Sequence, residues 1–375
     1  MKALKNTTKK LFCAVFALIF TVSAVPCAVS AETDVSARAA VLYEPDSNTF
    51  YYEKNADVRL PMASTTKIMT AVCALSLLDS NAVCSVPAEA CGIEGSSLYL
   101  KAGDRISVID LLYALLLRSA NDAAAALAIL SSGSIEAFAE EMNKTARMLS
   151  LENTHFDNPH GLDSETHYSS ARDLALIMEY AMQNETFAKI TASSKHTVTF
   201  PDRAQVLYNH NKLLFLRDDV IGGKTGFTKK SGRSLVSVAE KDGVTLICVT
   251  LSAPDDWNDH SRLYDSGFEA FERKTVFTRN DAIYADVSGG EKKKVLCRPT
   301  EDFSCTVKKG ESLLCDFLVP PVIYAPVSDG EIVGLLRVTQ NGRILGEITV
   351  TAAENVNYKE TRSNFRKFLD RLFGR

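Results

Sequence analysis

The sequence predicts an α/β fold: one antiparallel sheet flanked by helices with an inserted helical lobe, followed by a small β-sandwich and a C-terminal amphipathic helix. Three observations carry this. Apolar runs of period two stand at both ends of the first 275 residues. Helix-period runs fill the space between them. After about Val276 only short alternating runs remain, punctuated by turn residues.

Residues 1–31 read as an export leader. Lys2, Lys5, Lys9 and Lys10 precede an uncharged apolar run from Leu11 to about Val22. Val29 and Ala31 then stand two apart, as a cleavage site requires. The run is too short to span a bilayer, and no stop-transfer charges follow it.

The first domain is expected over 32–275. Residues 39–43 and 49–52 flank Glu44-Pro45-Asp46-Ser47-Asn48 and read as a strand, a turn and a returning strand. After Pro61, Ile68, Met69, Val72, Cys73, Leu75 and Leu78 predict a mostly buried helix that begins near Ser64. Ser107 with Asp110 makes a capping-box-like start for a helix over 108–117. Ser134 opens another through Phe138, Met142 and Leu149, and Ser170 with Asp173 a third along Leu174, Ile177 and Met178. From Gly222 the period changes to two. Strands over 234–239 and 244–251 are joined across Lys241-Asp242-Gly243, a hairpin turn. Leu263, Phe268, Ala270 and Phe271 then suggest a helix that closes the domain near Lys274.

The β-rich domain is expected over 276–355. Its runs are broken by Gly289-Gly290, Lys309-Gly310 and Pro320-Pro321, and Asn341-Gly342 signals a type I′ turn. It contains no catalytic constellation and reads as a spacer or docking module. Over 356–375, Phe365, Phe368, Leu369, Leu372 and Phe373 form one helical stripe between basic faces bearing Arg362, Arg366, Lys367, Arg371 and Arg375. That pattern predicts an anchor lying on a membrane surface, against the alternative of a helix packed on the β domain.

Removing the leader leaves 344 of the 375 residues, and the formal net charge of −4 becomes −8 as four lysines are lost. An acidic mature chain with no basic patch outside its last residues is not a general nucleic-acid binder. Seven cysteines remain, an odd number with no C-x-x-C pair, which argues against a disulfide framework or a zinc cluster. Buried apolar thiols are expected, with a local disulfide such as Cys84 to Cys91 as the alternative.

Three motifs carry the chemistry: Ser64-Thr65-Thr66-Lys67, Ser119-Ala120-Asn121 and Lys224-Thr225-Gly226. An S-x-x-K turns up about once by chance in a chain of this length, so each alone is weak and the ordered set is the signal. Ser64 and Lys67 share a helical face, which suits a nucleophile and its general base. Read alone, they are better explained as an N-cap and a solvated lysine. Lys224 supplies a second positive charge that lowers the Lys67 pKa. Ser119 is placed to relay a proton to a leaving amine, and Asn121 to bond Lys67 and the substrate backbone. Asp122 is an ordinary cap for the helix that follows. Lys224 and Thr225 suit a substrate carboxylate. Gly226 permits close approach, and the N–H of Phe227 with that of Ser64 forms an oxyanion hole.

The motif set resembles that of penicillin-binding proteins and class A β-lactamases. The chain is similar to serine-type D-alanyl-D-alanine carboxypeptidases, the low-molecular-mass penicillin-binding proteins, over nearly all of its mature length. Gly95-Ser96-Ser97, Gly103-Asp104, Pro159-His160-Gly161-Leu162-Asp163 and Asn211-Lys212-Leu213-Leu214 also resemble stretches common in that family. The resemblance implies a penicillin-binding-protein/β-lactamase-like transpeptidase domain that needs no cofactor or metal. It implies removal of the terminal D-alanine from peptidoglycan stem peptides at the outer face of the cytoplasmic membrane, with β-lactam antibiotics as covalent inhibitors. Phe227 departs from those relatives that carry histidine after K-T-G, which bears on substrate preference or deacylation. His160, in a loop the family places at the site rim, reads as a structural residue, with general base as the alternative. Two other readings stay open: a serine β-lactamase, although no E-x-x-L-N motif lies between the second and third triplets, and a slow penicillin- or peptidoglycan-sensing protein.

Overall fold

The computed structural model describes residues 34–320 and 322–360 together with Leu372. The expected leader and residues 361–371 and 373–375 of the expected anchor lie outside the described residues.

The central sheet is antiparallel and built from both ends of the first domain. Its strands are β1 (Ala39–Glu44), β2 (Thr49–Lys54), β3 (Val220–Thr228), β4 (Gly232–Lys241) and β5 (Val244–Leu251), in the order β2-β1-β5-β4-β3. The inner strands are buried on both faces, so they read as nearly continuous apolar runs. In β1, Ala39, Val41 and Tyr43 enter the core on one face, while Ala40 and Leu42 enter the core on the other. Val236 and Val238 of β4, and Val249 and Leu251 of β5, join the first core. Leu235, Ala239, Leu246 and Cys248 join the second. Asp242 and Gly243 both adopt positive φ, as a type I′ turn between β4 and β5 requires.

The helical lobe is inserted between β2 and β3 and covers the first face. Its buried axis includes α1 (Lys67–Leu77) and α2 (Asn121–Ser132), a helix that is apolar all round over Ala123–Ala128 and is packed on every side. Around them lie α3 (Ile135–Met148) and α4 (Ala171–Met182), whose N-termini are capped by Ser134 and Ser170 through the N–H groups of Ala137 and Asp173. The Ser107 cap also forms, but the helix it opens stays regular only to Tyr113. Ala114–Arg118 continue as a π-turn that ends at Ser119 with φ 62°. On the second face lies α5 (Asp256–Ala270). It stops at Ala270, short of the expected end near Lys274, because Phe271–Phe277 is already a strand of the next domain. Two ribbons, Val83–Ser85 with Arg105–Ser107 and Lys195–Thr199 with Ala204–Tyr208, interrupt a lobe expected to be largely helical.

The β domain packs a six-stranded sheet against the two-stranded pair Phe271–Phe277 and Phe303–Lys308 around one apolar core, as a sandwich. Asn341 and Gly342 take positive φ in the turn foreseen for them. Pairing continues past 355: Val356 is fully buried and exchanges N–H···O bonds with Val327, and the Lys359 N–H bonds Gly289 O. The sandwich docks on the β1–β2 turn. Arg343 Nη1 donates to Ser47 O and Asn48 O at 2.8 Å, and Arg273 and Thr306 both bond the Asp46 carboxylate. All seven described cysteines are free. Cys84 Sγ contacts Ile106 O and Cys91 Sγ contacts Pro87 O, so these two are not paired. Among the described residues no single helix is long and apolar enough to cross a membrane, and no group of His, Cys, Asp or Glu could hold a metal ion.

Candidate active site

Ser64 lies in a 3-10 turn, Ala63–Thr66, and the α-helix proper starts at Lys67. Ser64 is therefore not an N-cap, and no side chain caps this start. Ala63 just before it has φ 49°, a left-handed conformation that costs a non-glycine residue of order 1–3 kcal/mol. The turn is held by Thr65 Oγ1 on Met62 O and Thr66 Oγ1 on Ala63 O, both at 2.7 Å.

Lys67 is fully buried and its Nζ has three neighbours: Ser64 Oγ at 2.9 Å, Asn121 Oδ1 at 2.7 Å and the His160 carbonyl. The Asn121 amide is oriented without ambiguity, because its Nδ2 donates to Glu94 O. Burial, and then the charge of Lys224, hold the Lys67 pKa well below that of a free lysine, against a smaller opposing pull from Asp122. A neutral amine offers two N–H groups and one lone pair. Asn121 Oδ1 and His160 O can only accept, so they take the two N–H groups. The lone pair is left facing the Ser64 hydroxyl.

His160 thus contributes its main chain. Burial and the neighbouring Lys67 lower its imidazole pKa to about 3, and Nδ1 accepts the Leu162 N–H. Its loop is fixed by Thr70 Oγ1 on Pro159 O and by Asn158, which accepts from the Gly161 N–H. Gly161 has φ 86°, and a side chain there would overlap Ala63 O. This loop and the nucleophile turn are packed backbone to backbone.

Asp122 does more than bond its neighbour Ala123. It is buried and accepts from Ser97 Oγ and from the N–H groups of Leu98 and Leu100, tying residues 97–100 to α2. Asn121 N–H bonds Ser96 O, and a Cβ at Gly95 would lie 2.9 Å from Asn121 Nδ2. Neither role was legible in the sequence.

On the opposite wall, β3 is an edge strand. Lys224 is buried, its Nζ donates to Thr225 O, and burial lowers its pKa to about 7. The reason for glycine at 226 is closer packing than expected. A Cβ there would meet Met62 O at 2.9 Å, Ser64 N at 3.0 Å and Thr65 N at 3.1 Å, so the strand presses directly on the nucleophile turn.

Ser64, Ser119, Thr225, Gly226 and Phe227 line one cleft of about 520 Å³. Lys67, Asn121 and Lys224 are buried behind it. The structure thus brings all eight sequence-derived positions together. It adds wall residues that no motif announced: His210, Arg233, Asp256 and Trp257. Arg233 could have been found from register, since the short loop after Thr228 returns the chain so that Arg233 faces Phe227. Asp256 and Trp257 carry no such signal.

A family profile described as D-alanyl-D-alanine carboxypeptidase matches residues 26–255. The chain belongs to the D-alanyl-D-alanine carboxypeptidase family. The C-terminal domain of penicillin-binding protein 5 matches residues 271–358. D-alanyl-D-alanine carboxypeptidase DacF of Bacillus subtilis is 32% identical over 351 residues, covering 90% of this chain and 89% of the relative. DacC of Escherichia coli is 33% identical, covering 86% and 84%. The crystal structure of penicillin-binding protein 5 from Haemophilus influenzae superposes with a TM-score of 0.67 at 28% identity, covering 86% of this chain and 98% of that one. The family's transpeptidase-type domain and β-sandwich are the two domains described above.

Proposed function

We propose that the protein is a serine D-Ala-D-Ala carboxypeptidase that removes the terminal D-alanine from peptidoglycan pentapeptide stems through an acyl-enzyme on Ser64. The observation that carries this reading is the fully buried Lys67, whose Nζ stands 2.9 Å from Ser64 Oγ and whose pKa is held well below that of a free lysine by burial and the Lys224 charge. As Ser64 Oγ attacks the penultimate carbonyl carbon, its proton passes to Lys67 Nζ. The oxyanion is held by the N–H groups of Ser64 and Phe227. The C–N bond then breaks, and Ser119 relays the proton from Lys67 to the departing amine. In the second half-reaction Lys67 takes a proton from water, which attacks the ester and frees Ser64. Thr225 and the positive charge of Lys224 receive the substrate carboxylate. A β-lactam acylates Ser64 in the same way, but its nitrogen stays tethered in the cleft and obstructs the water.

Fluorescent penicillin is expected to label wild type and not Ser64→Ala. D-alanine release from a pentapeptide analogue is expected to outrun penicillin hydrolysis by the same preparation. The reverse order would make the protein a β-lactamase.

The division into an export leader, a catalytic domain, a β-rich docking domain and a C-terminal anchor fits an enzyme peripheral to the outer face of the cytoplasmic membrane. Because Val356 is core and Lys359 is paired, the truncation that tests the anchor belongs after Glu360. That protein is expected in the soluble fraction with unchanged acylation, and retention on membranes would refute the anchor.

A further inference from the structure

Behind the nucleophile turn lies a buried imidazole that the mechanism above leaves unused. The main chain just after His167 is pinned on two sides: Tyr168 exchanges N–H···O bonds with His155, and Ser169 exchanges them with Leu60. His167 itself is buried, with the Phe156 ring edge-on at 5.9 Å. Its Nδ1 accepts the Asp157 N–H at 3.0 Å, and its Nε2 stands 2.8 Å from Thr66 Oγ1. Burial lowers the imidazole pKa to about 4, so near pH 7 the ring is neutral and carries one proton. An Nδ1 that accepts leaves that proton on Nε2, which therefore donates to Thr66 Oγ1. The Thr66 hydroxyl directs its own proton to Ala63 O at 2.7 Å. Each bond in this chain has one direction, from the Asp157 N–H through the imidazole and the hydroxyl to the Ala63 carbonyl.

The end of the chain bears on catalysis. Ala63 O and the Ser64 N–H belong to one peptide unit, which is planar and trans, so fixing the carbonyl fixes the direction of the N–H. Thr66 and Gly161 crowd the carbonyl side of that peptide. On its nitrogen side stands β3, where a Cβ at 226 would lie 3.0 Å from Ser64 N. The left-handed φ of Ala63 is a conformation that lasts only where its surroundings over-determine it. We propose that His167, acting through Thr66, is the positioning residue that keeps the Ser64 N–H turned toward β3 and the cleft as an oxyanion donor. This rests on the acyl-enzyme reading and deepens it. Thr66 thereby gains a task within the first motif that Ser64 and Lys67 do not share.

The test follows acylation of Ser64 by penicillin together with the affinity of a peptide boronic acid, whose tetrahedral adduct on Ser64 places an oxygen where the oxyanion forms. Removing an oxyanion donor costs about 100- to 1,000-fold, and tilting one should cost about 10- to 100-fold. His167→Asn keeps an acceptor for the Asp157 N–H but is too short to reach Thr66. Thr66→Val removes the hydroxyl at nearly constant volume. Each is expected to slow the limiting acylation rate by that factor, to weaken the boronic acid in proportion and to leave the half-saturating penicillin concentration unchanged. His167→Gln, whose amide donates toward Thr66, and Thr66→Ser are expected to recover most of the loss. H167N/T66V strands neither buried partner, which guards against a folding failure of the single variants, and should be no slower than the slower of them. Acylation at the wild-type rate in Thr66→Val or H167N/T66V, or equal losses in His167→Asn and His167→Gln, overturns the proposal while wild-type Ser64 labelling persists. Absence of Ser64 labelling in wild type would instead sink the carboxypeptidase reading, and the proposal with it.

Discussion

Lys67 and Lys224 are two buried lysines serving opposite needs, and pH separates them. Lys67 must be neutral to take the Ser64 proton, so acylation should rise with pH as it deprotonates. Lys224 must be charged, both to attract a carboxylate and to hold Lys67 neutral. Its pKa of about 7 means that charge is lost as pH climbs through neutrality. The profile of kcat/KM should therefore be bell-shaped, with an alkaline limb set by Lys224. Lys224→Arg keeps the charge at all pH values and should move that limb upward by more than about one pH unit. A pH–rate series for penicillin acylation checks this, and an unmoved limb would assign it to another group. The Ser64–Lys67 pair was legible because i and i+3 meet on any helical turn. Of the two acceptors that meet the lysine, Asn121, 54 residues away, was among the expected partners, but the other, the His160 carbonyl 93 residues away, is main chain. No residue pattern announces a carbonyl.

Among elements, the site is assembled from irregular pieces wedged between regular ones. The caps at Ser107, Ser134 and Ser170 were readable because capping is local. The 3-10 turn at Ser64 and the π-turn before Ser119 carry no such mark, and the loop tied to Asp122 is fixed by a carboxylate 22 to 25 residues away. Gly226 is where this is most exposed to test. Its missing side chain lets β3 touch the Ser64 backbone, and a methyl group would push the two apart by a few tenths of an ångström. Small misplacements of reacting groups can cost up to about 100-fold in rate. Gly226→Ala should therefore slow acylation by about 10- to 100-fold while lowering Tm by only a few degrees. Stopped-flow acylation and thermal unfolding on the same sample decide it. A large Tm loss with normal acylation would show that the glycine serves folding alone.

For the molecule as a whole, the two domains meet through the β1–β2 turn and through the end of α5, where Lys309 bonds the Glu269 and Ala270 carbonyls. Arg343→Ala removes two charge-assisted bonds to main-chain carbonyls, partly exposed, worth about 1–3 kcal/mol together. Hydrogen exchange over residues 45–48 and in the sandwich should rise, with penicillin acylation unchanged. Coupled loss of acylation would mean that the sandwich supports the cleft. The arginine grips carbonyl oxygens rather than side chains, and this has an evolutionary consequence. Ser47 and Asn48 supply their backbones to the contact, so their identities can drift as long as the turn keeps its path. Arg343 has no such latitude. In comparisons among descendants of this chain, the Arg343 part of the docking constraint would be written on the sandwich side alone, whereas Asp46, held by Arg273 and Thr306, would be the position that records it on the other.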